Sequence, residues 1–237
     1  MRPNTKSLAL EYALWNAPRE ACGLVLVRKG KEEFFPCRNI AEDAQNFILH
    51  PDDYASAEDR GDIVAVFHSH VEQSPKPSQA DRVACEASGL PWYIVSVPGG
   101  EWDYLEPCGY KAPLIGREYS LGVLDCYTII RDFYRQEFKI ELPDFDRRGK
   151  FWERGEQLYL EKYREAGFEK VFEANPRRGD IFLLQLFNNV VSHAAIYLGD
   201  GVILHHLEGR LSTREVYNGH YQKHTVATLR HGKLARC

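Results

Sequence analysis

The feature that most narrows the folds open to this chain is a pair of histidines two residues apart. His68-Ser69-His70 closes the run Asp62-Ile63-Val64-Ala65-Val66-Phe67. Side chains alternate along a strand, so an extended backbone sends both imidazoles to one face. The β-branched and apolar residues ahead of them are those of a buried strand. After seven intervening residues comes Ser78-Gln79-Ala80-Asp81, opening a helical run that carries Val83, Ala84 and Ala87. Two imidazoles and a carboxylate supply three ligands and leave one position open, the arrangement of a catalytic zinc site rather than a closed structural one. A zinc ion so held activates water near neutral pH and polarises a carbonyl. Each half also has a plainer explanation: Ser78-x-x-Asp81 spells a helix capping box, and His-x-His pairs occur in ordinary strands. Both halves at this spacing, with Glu20 just ahead of an earlier strand signal at Cys22–Val27, favour the metal.

This combination resembles the JAMM zinc metallopeptidases, whose pattern is a distant Glu, His-x-His, a short gap, and Ser-x-x-Asp. The resemblance implies that His68, His70 and Asp81 ligate zinc. It also implies that Glu20 is the general base and that Ser78 donates to a tetrahedral oxyanion.

A length of 237 residues allows one large domain or two modest ones. Hydrophobic residues at 44% and charged residues at 27% describe a globular chain with matter for a core. A net charge of -4 argues against a general nucleic-acid binder. Cys22, Cys37, Cys85, Cys108, Cys126 and Cys237 show no paired spacing and read as thiols made in a reducing compartment. The first residues lack an apolar signal core and no apolar run approaches membrane-spanning length, so synthesis in the cytosol is expected.

In chain order, the pattern predicts a helix over Ser7–Trp15 packing through Leu8, Tyr12 and Trp15. Strands are expected at Cys22–Val27, Glu33–Cys37 and Asn46–His50, and a helix from Pro51 to Arg60. After the histidine strand and the capped helix come strands at Trp92–Val97 and Glu101–Glu106, joined by a Pro98-Gly99-Gly100 turn. His50 reads as an ordinary polar residue. Pro and Gly cluster between Glu106 and Pro113, dividing a first domain (1–108) from a second (114–237).

The second half carries another chemistry. Asp125-Cys126 precedes a helical pattern through Tyr134, and a cysteine at a helix N-terminus is expected to be held as thiolate. His193-Ala194-Ala195-Ile196-Tyr197-Leu198 and Val202-Ile203-Leu204-His205 flank Gly199-Asp200-Gly201, a hairpin signal. A three-residue loop pairs Leu198 with Val202 and Ile196 with Leu204. That register gathers the apolar residues on one face and sets His193 and His205 on the other as diagonal neighbours. A two-residue loop would put the histidines on opposite faces and scatter the apolar set, so it is not expected. A thiol with two imidazoles supports nucleophilic catalysis, one imidazole accepting the proton and the second orienting the first.

These residues resemble the NlpC-type cysteine peptidases, papain-like enzymes that cut peptide stems of bacterial cell walls. The resemblance rests on Asp125-Cys126, on His193-Ala-Ala-Ile-Tyr-Leu-Gly and on His205. It implies Cys126 as nucleophile, His193 as base, His205 as the orienting residue and Tyr119, in Tyr119-Ser120-Leu121-Gly122, as an oxyanion donor. It further implies cleavage between D-glutamate and the diamino acid, and a Gly179-Asp180 entry to the central strand Ile181–Leu184. Tyr127-Thr128 stands where the family has Ser-Gly, and His206 beside His205 leaves two candidates for the orienting imidazole. The stretch from Phe138 to Asn175 is charged and aromatic; it reads as a helix over Glu156–Ala166 packed through its apolar stripe.

The expected fold class is thus α/β (α+β) with two domains: a JAMM-type mixed sheet with helices, then a papain-like NlpC-type domain with an antiparallel sheet. This succession resembles the tail assembly proteins of lambda-like phages. The resemblance implies peptidoglycan stem peptides and phage tail-tip proteins as partners, with zinc as cofactor and no membrane segment. A scaffold that retains catalytic residues, or a cytosolic isopeptidase, are the alternatives.

Overall fold

A computed structural model describes residues 1–147, 149–172, 175–187 and 189–235. The chain divides into two compact units, Met1–Lys111 and Ala112–Cys237, each with helices around one sheet, so the class is mixed α+β.

The first unit runs α1 (Pro3–Asn16), β1 (Cys22–Arg28), β2 (Lys31–Cys37), α2 (Pro51–Arg60), β3 (Asp62–Val71), α3 (Gln79–Ser88), β4 (Trp92–Val97) and β5 (Trp102–Leu105). Its sheet has the order β2-β1-β3-β4-β5. β3 and β4 are parallel because α3 lies between them and returns the chain to the starting end. Alternation splits β3 between two layers. Val66 joins Leu24, Leu26, Ala57 and Cys85 on the side of α2 and α3. Phe67 joins Phe34 and Val95 beneath Ala9 and Ala13 of α1. His68 and His70 keep the parity of Val66 and so leave the strand on the side of α3.

Two expectations are corrected here. α1 packs through Thr5, Ala9 and Ala13, with Tyr12 tucked at the edge donating to the Cys37 carbonyl at 3.0 Å. Leu8 and Trp15 point outward, 48% and 81% exposed. An alanine stripe lets the helix lie close over the rings of Phe34 and Phe67, which meet edge to face at 5.3 Å. The segment Asn46–His50 is a loop touching the sheet's margin through one bridge, Asn39 to Leu49. Its shape is held by Asn39, whose Oδ1 accepts from the Ala41 and Ile48 amides and whose Nδ2 donates to the carbonyls of Glu20 and Asn46. His50 caps α2, its Nδ1 accepting from the Asp52 amide.

The second unit runs α4 (Cys126–Phe133), a π-helical turn at Tyr134–Phe138, α5 (Leu158–Lys162), β6 (Phe168–Val171), β7 (Ile181–Leu184), β8 (His193–Gly199), β9 (Val202–His205), β10 (Thr213–Val216), α6 (Gly219–His224) and β11 (Thr225–His231). Its sheet is antiparallel throughout, in the order β10-β9-β8-β7-β11-β6. Ile129, Ile130 and Phe133 of α4 pack on Ala194, Ile196 and Leu204, each fully buried apolar side chain contributing roughly 1.5–3 kcal/mol. The helix expected over Glu156–Ala166 is only Leu158–Lys162. The chain must turn at Gly167, at φ 84°, for Phe168 to pair with His231 of β11.

The hairpin keeps the expected core register by an unexpected route. Ile196 pairs with Leu204, but Gly199 rather than Leu198 pairs with Val202, and the ladder shifts between Tyr197 and Gly199. The loop is Asp200-Gly201, both at positive φ (51° and 71°), as a primed two-residue turn requires. The extra residue Leu198 is a bulge, which compensates the shorter loop and keeps His193 and His205 on one face.

β7 is anchored by a buried ion pair. Arg230 donates to both oxygens of Asp180 at 2.8 Å each, and Asp180 also accepts from the Arg177 amide at 2.8 Å. Arg230→Met leaves a buried carboxylate without its cation and is expected to cost about 3–5 kcal/mol. Denaturant unfolding of Arg230→Met and of Arg230→Met/Asp180→Asn tests this. The double variant should recover part of the loss, and equal losses in both would refute the pairing argument.

Candidate active sites

In the first unit, the pairing of β1 with β3 delivers Glu20 to the histidines. The Ala21 amide donates to Ser69 Oγ at 2.9 Å and the Ser69 amide to the Ala21 carbonyl at 3.0 Å. His68 Nε2 and His70 Nε2 lie 3.1 Å apart. Asp81 sits 3.2 Å from His68 Nε2 through Oδ1 and 3.4 Å from His70 Nε2 through Oδ2. The shortest separations between donors of the three residues thus span 3.1 to 3.4 Å. A tetrahedral zinc with bonds of about 2.0–2.1 Å spaces its ligands by roughly 3.3 Å, so this donor set fits the ion. His70 Nδ1 lies 2.7 Å from the Ser74 carbonyl; a proton there leaves the Nε2 lone pair facing inward. His68 is stacked on Phe47 at 4.6 Å and met edge-on by Trp92 at 5.4 Å. Among the described residues, His68, His70 and Asp81 form a cluster able to hold a metal.

The capping box and the candidate metal cluster share Asp81 and form one device. Asp81 Oδ2 accepts from the Ser78 amide at 2.7 Å and from Ser78 Oγ at 2.8 Å, and Ser78 Oγ accepts from the Asp81 amide at 3.1 Å. Ser78 thus caps α3 and orients the carboxylate. Burial opposes ionisation of Asp81, but hydrogen bonds from His68, His70 and Ser78 outweigh it and hold the carboxyl far below its usual range. Burial lowers His68. In His70 burial is overcome by Asp81 and the Ser74 carbonyl, and the net shift is upward.

Glu20 is 6% exposed. Burial first, then the charges of Asp81 and Asp43, push its carboxyl up to about 9. A folded-state value above the unfolded one means that the native chain holds the proton longer. Stability from this group is complete below about 4.5 and is lost as pH rises toward 9. In chelator-treated protein, stability should therefore decline more between pH 5 and 9 in the parent chain than in Glu20→Gln. Urea unfolding across that range checks the sign; parallel curves would refute it.

In the second unit, Asp125 caps α4. Its Oδ1 accepts from the Tyr127 and Thr128 amides at 3.0 and 2.9 Å and from Thr128 Oγ1 at 2.7 Å. Its Oδ2 accepts from the Gly122 amide at 2.9 Å and from Arg147 Nε at 2.8 Å. Thr128 closes the capping box through its own hydroxyl, so the departure from the family's Ser-Gly leaves the helix start intact. Cys126 follows directly. Its Sγ lies 3.1 Å from the Tyr159 hydroxyl and accepts from the Ala194 amide.

The expectation of a resting thiolate is corrected. Burial, then the adjacent Asp125 charge, pushes the Cys126 thiol up to about 11, against the lowering effect of Tyr159, the Ala194 amide and Arg147. The amides that would have favoured the thiolate already serve the Asp125 carboxylate. His193 is held well below its usual range by burial, then by His205 and His206. Thiol and imidazole are both neutral at rest.

Cys126, His193, Tyr119, Trp152, His206 and Glu208 line one cleft of about 350 Å³. His193 Nε2 meets His205 Nδ1 at 3.1 Å, whereas His206 lies edge-on to Tyr119 at 5.2 Å; the histidine that faces His193 is His205. Behind it, His205 Nε2 lies 3.6 Å from Glu215 Oε1, and Glu215 accepts from the Tyr221 hydroxyl. Arg147, Tyr159 and Glu215 were missed by sequence reasoning. The aromatic cluster Phe151, Trp152, Tyr159 and Tyr163 was the one available signal, and it was read as packing.

Family comparison agrees with this division. Residues 5–105 match the model described as prokaryotic homologs of the JAB domain, and residues 116–230 match the NlpC/P60 family. Over 234 residues the chain is 38% identical to the tail tip assembly protein K of Escherichia phage N15, covering 98% of this chain and 96% of that protein. Tail tip assembly protein K of Escherichia phage lambda is 38% identical over 183 residues, 77% of this chain and 89% of the relative. With a JAB-type unit and an NlpC/P60 unit in that order, each carrying its cluster of histidines, this chain belongs to the tail tip assembly protein K family.

Proposed function

We propose that this chain is a two-site peptidase of the phage tail tip, with a zinc metallopeptidase domain over 1–108 and a cysteine peptidase domain over 114–237. The observation that carries the reading is the His193–His205 contact of 3.1 Å in the cleft that also holds Cys126. A carboxylate behind His205 sets the tautomers. With the Glu215 carboxylate 3.6 Å from His205 Nε2 favouring a proton on that nitrogen, His205 Nδ1 accepts from His193 Nε2–H and His193 Nδ1 is left to accept a proton. Cys126 Sγ then attacks the carbonyl carbon of a stem peptide as its proton passes to His193. His193 returns that proton to the departing amine, leaving a thioester. Water, giving its proton to His193, releases the carboxylate product and restores the thiol. Tyr119, on the cleft wall, is assigned to the developing oxyanion.

In the first unit His68, His70 and Asp81 would hold zinc, which supplies Lewis acidity to a scissile carbonyl. Glu20, poised high by burial, takes and returns a proton at its carboxylate. Ser78 Oγ, whose proton goes to Asp81 at rest, turns it to the oxyanion as charge develops there. The substrate of this unit is a peptide or isopeptide. Synthesis in the host cytosol and action from the particle at the cell wall follow from this reading. Among the described residues no helix is long and apolar enough to cross a membrane.

Mass spectrometry of purified peptidoglycan, digested with the parent chain, Cys126→Ala and His68→Ala, tests the division of labour. Stem cleavage should vanish in Cys126→Ala and persist in His68→Ala; persistence in both would sink the cysteine assignment. Elemental analysis should find zinc in the parent and in Glu20→Gln, and none in His68→Ala/His70→Ala. Glu20→Gln should lose roughly a hundredfold or more in turnover on the first unit's substrate. The relatives' role as assembly proteins favours a second reading, a tail-tip scaffold in which cleavage is incidental. Rescue of a tail-defective phage by a Cys126→Ala/His68→Ala chain would support it.

A further inference from the structure

We infer that Tyr159 is the hydrogen-bond donor that holds and stabilises the Cys126 thiolate when the proton leaves. This rests on the reading of Cys126 as nucleophile. Tyr159 comes from the stretch between Phe138 and Asn175 that neither the motif nor the hairpin accounts for. α5 is only one turn long, yet it carries this ring inward. Tyr159 is 8% exposed, set against Phe151 at 5.7 Å and Tyr127 at 6.3 Å. Its hydroxyl ends 3.1 Å from Cys126 Sγ.

The contact is lopsided between protonation states. While the thiol is neutral, either group can donate. Once the proton has gone to His193, the sulfur can only accept and the tyrosine can only donate. Burial first, then the charges of Cys126 and Asp125, raises the Tyr159 hydroxyl well above its ordinary range, so at neutral pH it keeps the proton it donates. A bond from a neutral donor to an anion is roughly twice as strong as its neutral counterpart, so the hydroxyl favours the state in which sulfur attacks. The need for such a donor is local. Asp125 at the head of α4 opposes the thiolate, and its carboxylate already occupies the first helix amides. The other groups around the sulfur are Arg147, drawn to Asp125, His193 with His205 behind it, and Tyr119 and His206 across the cleft.

The test is the pH dependence of Cys126 alkylation by iodoacetamide in the full chain, read by peptide mapping. Tyr159→Phe keeps the ring and removes the donor; its alkylation midpoint should rise by roughly one to two pH units. Stem-peptide kcat should fall at neutral pH with KM little changed. Tyr127→Phe is the control: it deletes a neighbouring buried hydroxyl that donates to the Pro143 carbonyl at 2.9 Å, and its midpoint should match the parent. A Tyr159→Phe profile that superposes on the parent's, or an equal shift in both variants, overturns the proposal. Should Tyr159→Phe lose its cooperative melt, fluorotyrosine at position 159, a stronger donor of nearly the same shape, decides. A lowered midpoint supports the donor and an unchanged one refutes it. Alkylation reports on the thiol alone. Full stem cleavage by Cys126→Ala would instead overturn the nucleophile reading and leave the titration result standing.

Discussion

Both sites depend on the same interaction, an aspartate that satisfies the free amides or hydroxyl at the first turn of a helix lying beside a strand end. In the first unit Asp81 is the third residue of α3 and reaches back to Ser78. In the second, Asp125 precedes α4 and reaches forward to Tyr127 and Thr128. A helix start leaves amides without partners, and a short side chain that meets them is locked in direction. That lock converts a mobile carboxylate into a fixed feature. Asp81 then turns its oxygens to two imidazoles, and Asp125 fixes the position of the sulfur that follows it.

Burying these carboxylates needs compensation, and the two units supply it differently. Asp125 has Arg147, itself drawn inside and charged across the whole working pH range through its pairing with Asp125 and Asp144. Glu20 has no cation beside it among the charges that shift it. A buried acid near Asp81 keeps its proton because ionising it would set two negative charges together in a site that screens them poorly. The cysteine site avoids charge at rest. A neutral thiol and a neutral imidazole lining one cleft need no counter-ion. The arrangement also keeps the resting sulfur less reactive than a standing thiolate.

Much was legible in the residues because the decisive chemistry is local or periodic. Alternation along β3 determined that His68 and His70 share a face, and the capping pattern placed Asp81 at a helix start. The apolar sets of β8 and β9 required His193 and His205 to share the other face. That requirement outlasted the wrong loop: the bulge at Leu198 restores it because only one register buries Ile196 and Leu204 together.

What tertiary structure alone decided is which side chains converge from separate segments. No pattern marks α1 as packing through alanines, since the reason lies in the Phe34 and Phe67 rings beneath it. Nor could spacing reveal that Tyr159 meets Cys126, Arg147 meets Asp125 or Glu215 lies behind His205, because those contacts cross loops of no fixed period. The thiolate expectation failed for the same reason. A helix N-terminus favours an anion, but whether it serves the sulfur or a neighbouring carboxylate depends on how deeply both are buried and what else reaches them. By itself the sequence determined the two candidate residue sets and the strands and helices that bear them; the folded chain decided their protonation and their supporting donors, because burial and long-range contact exist only once distant segments have met.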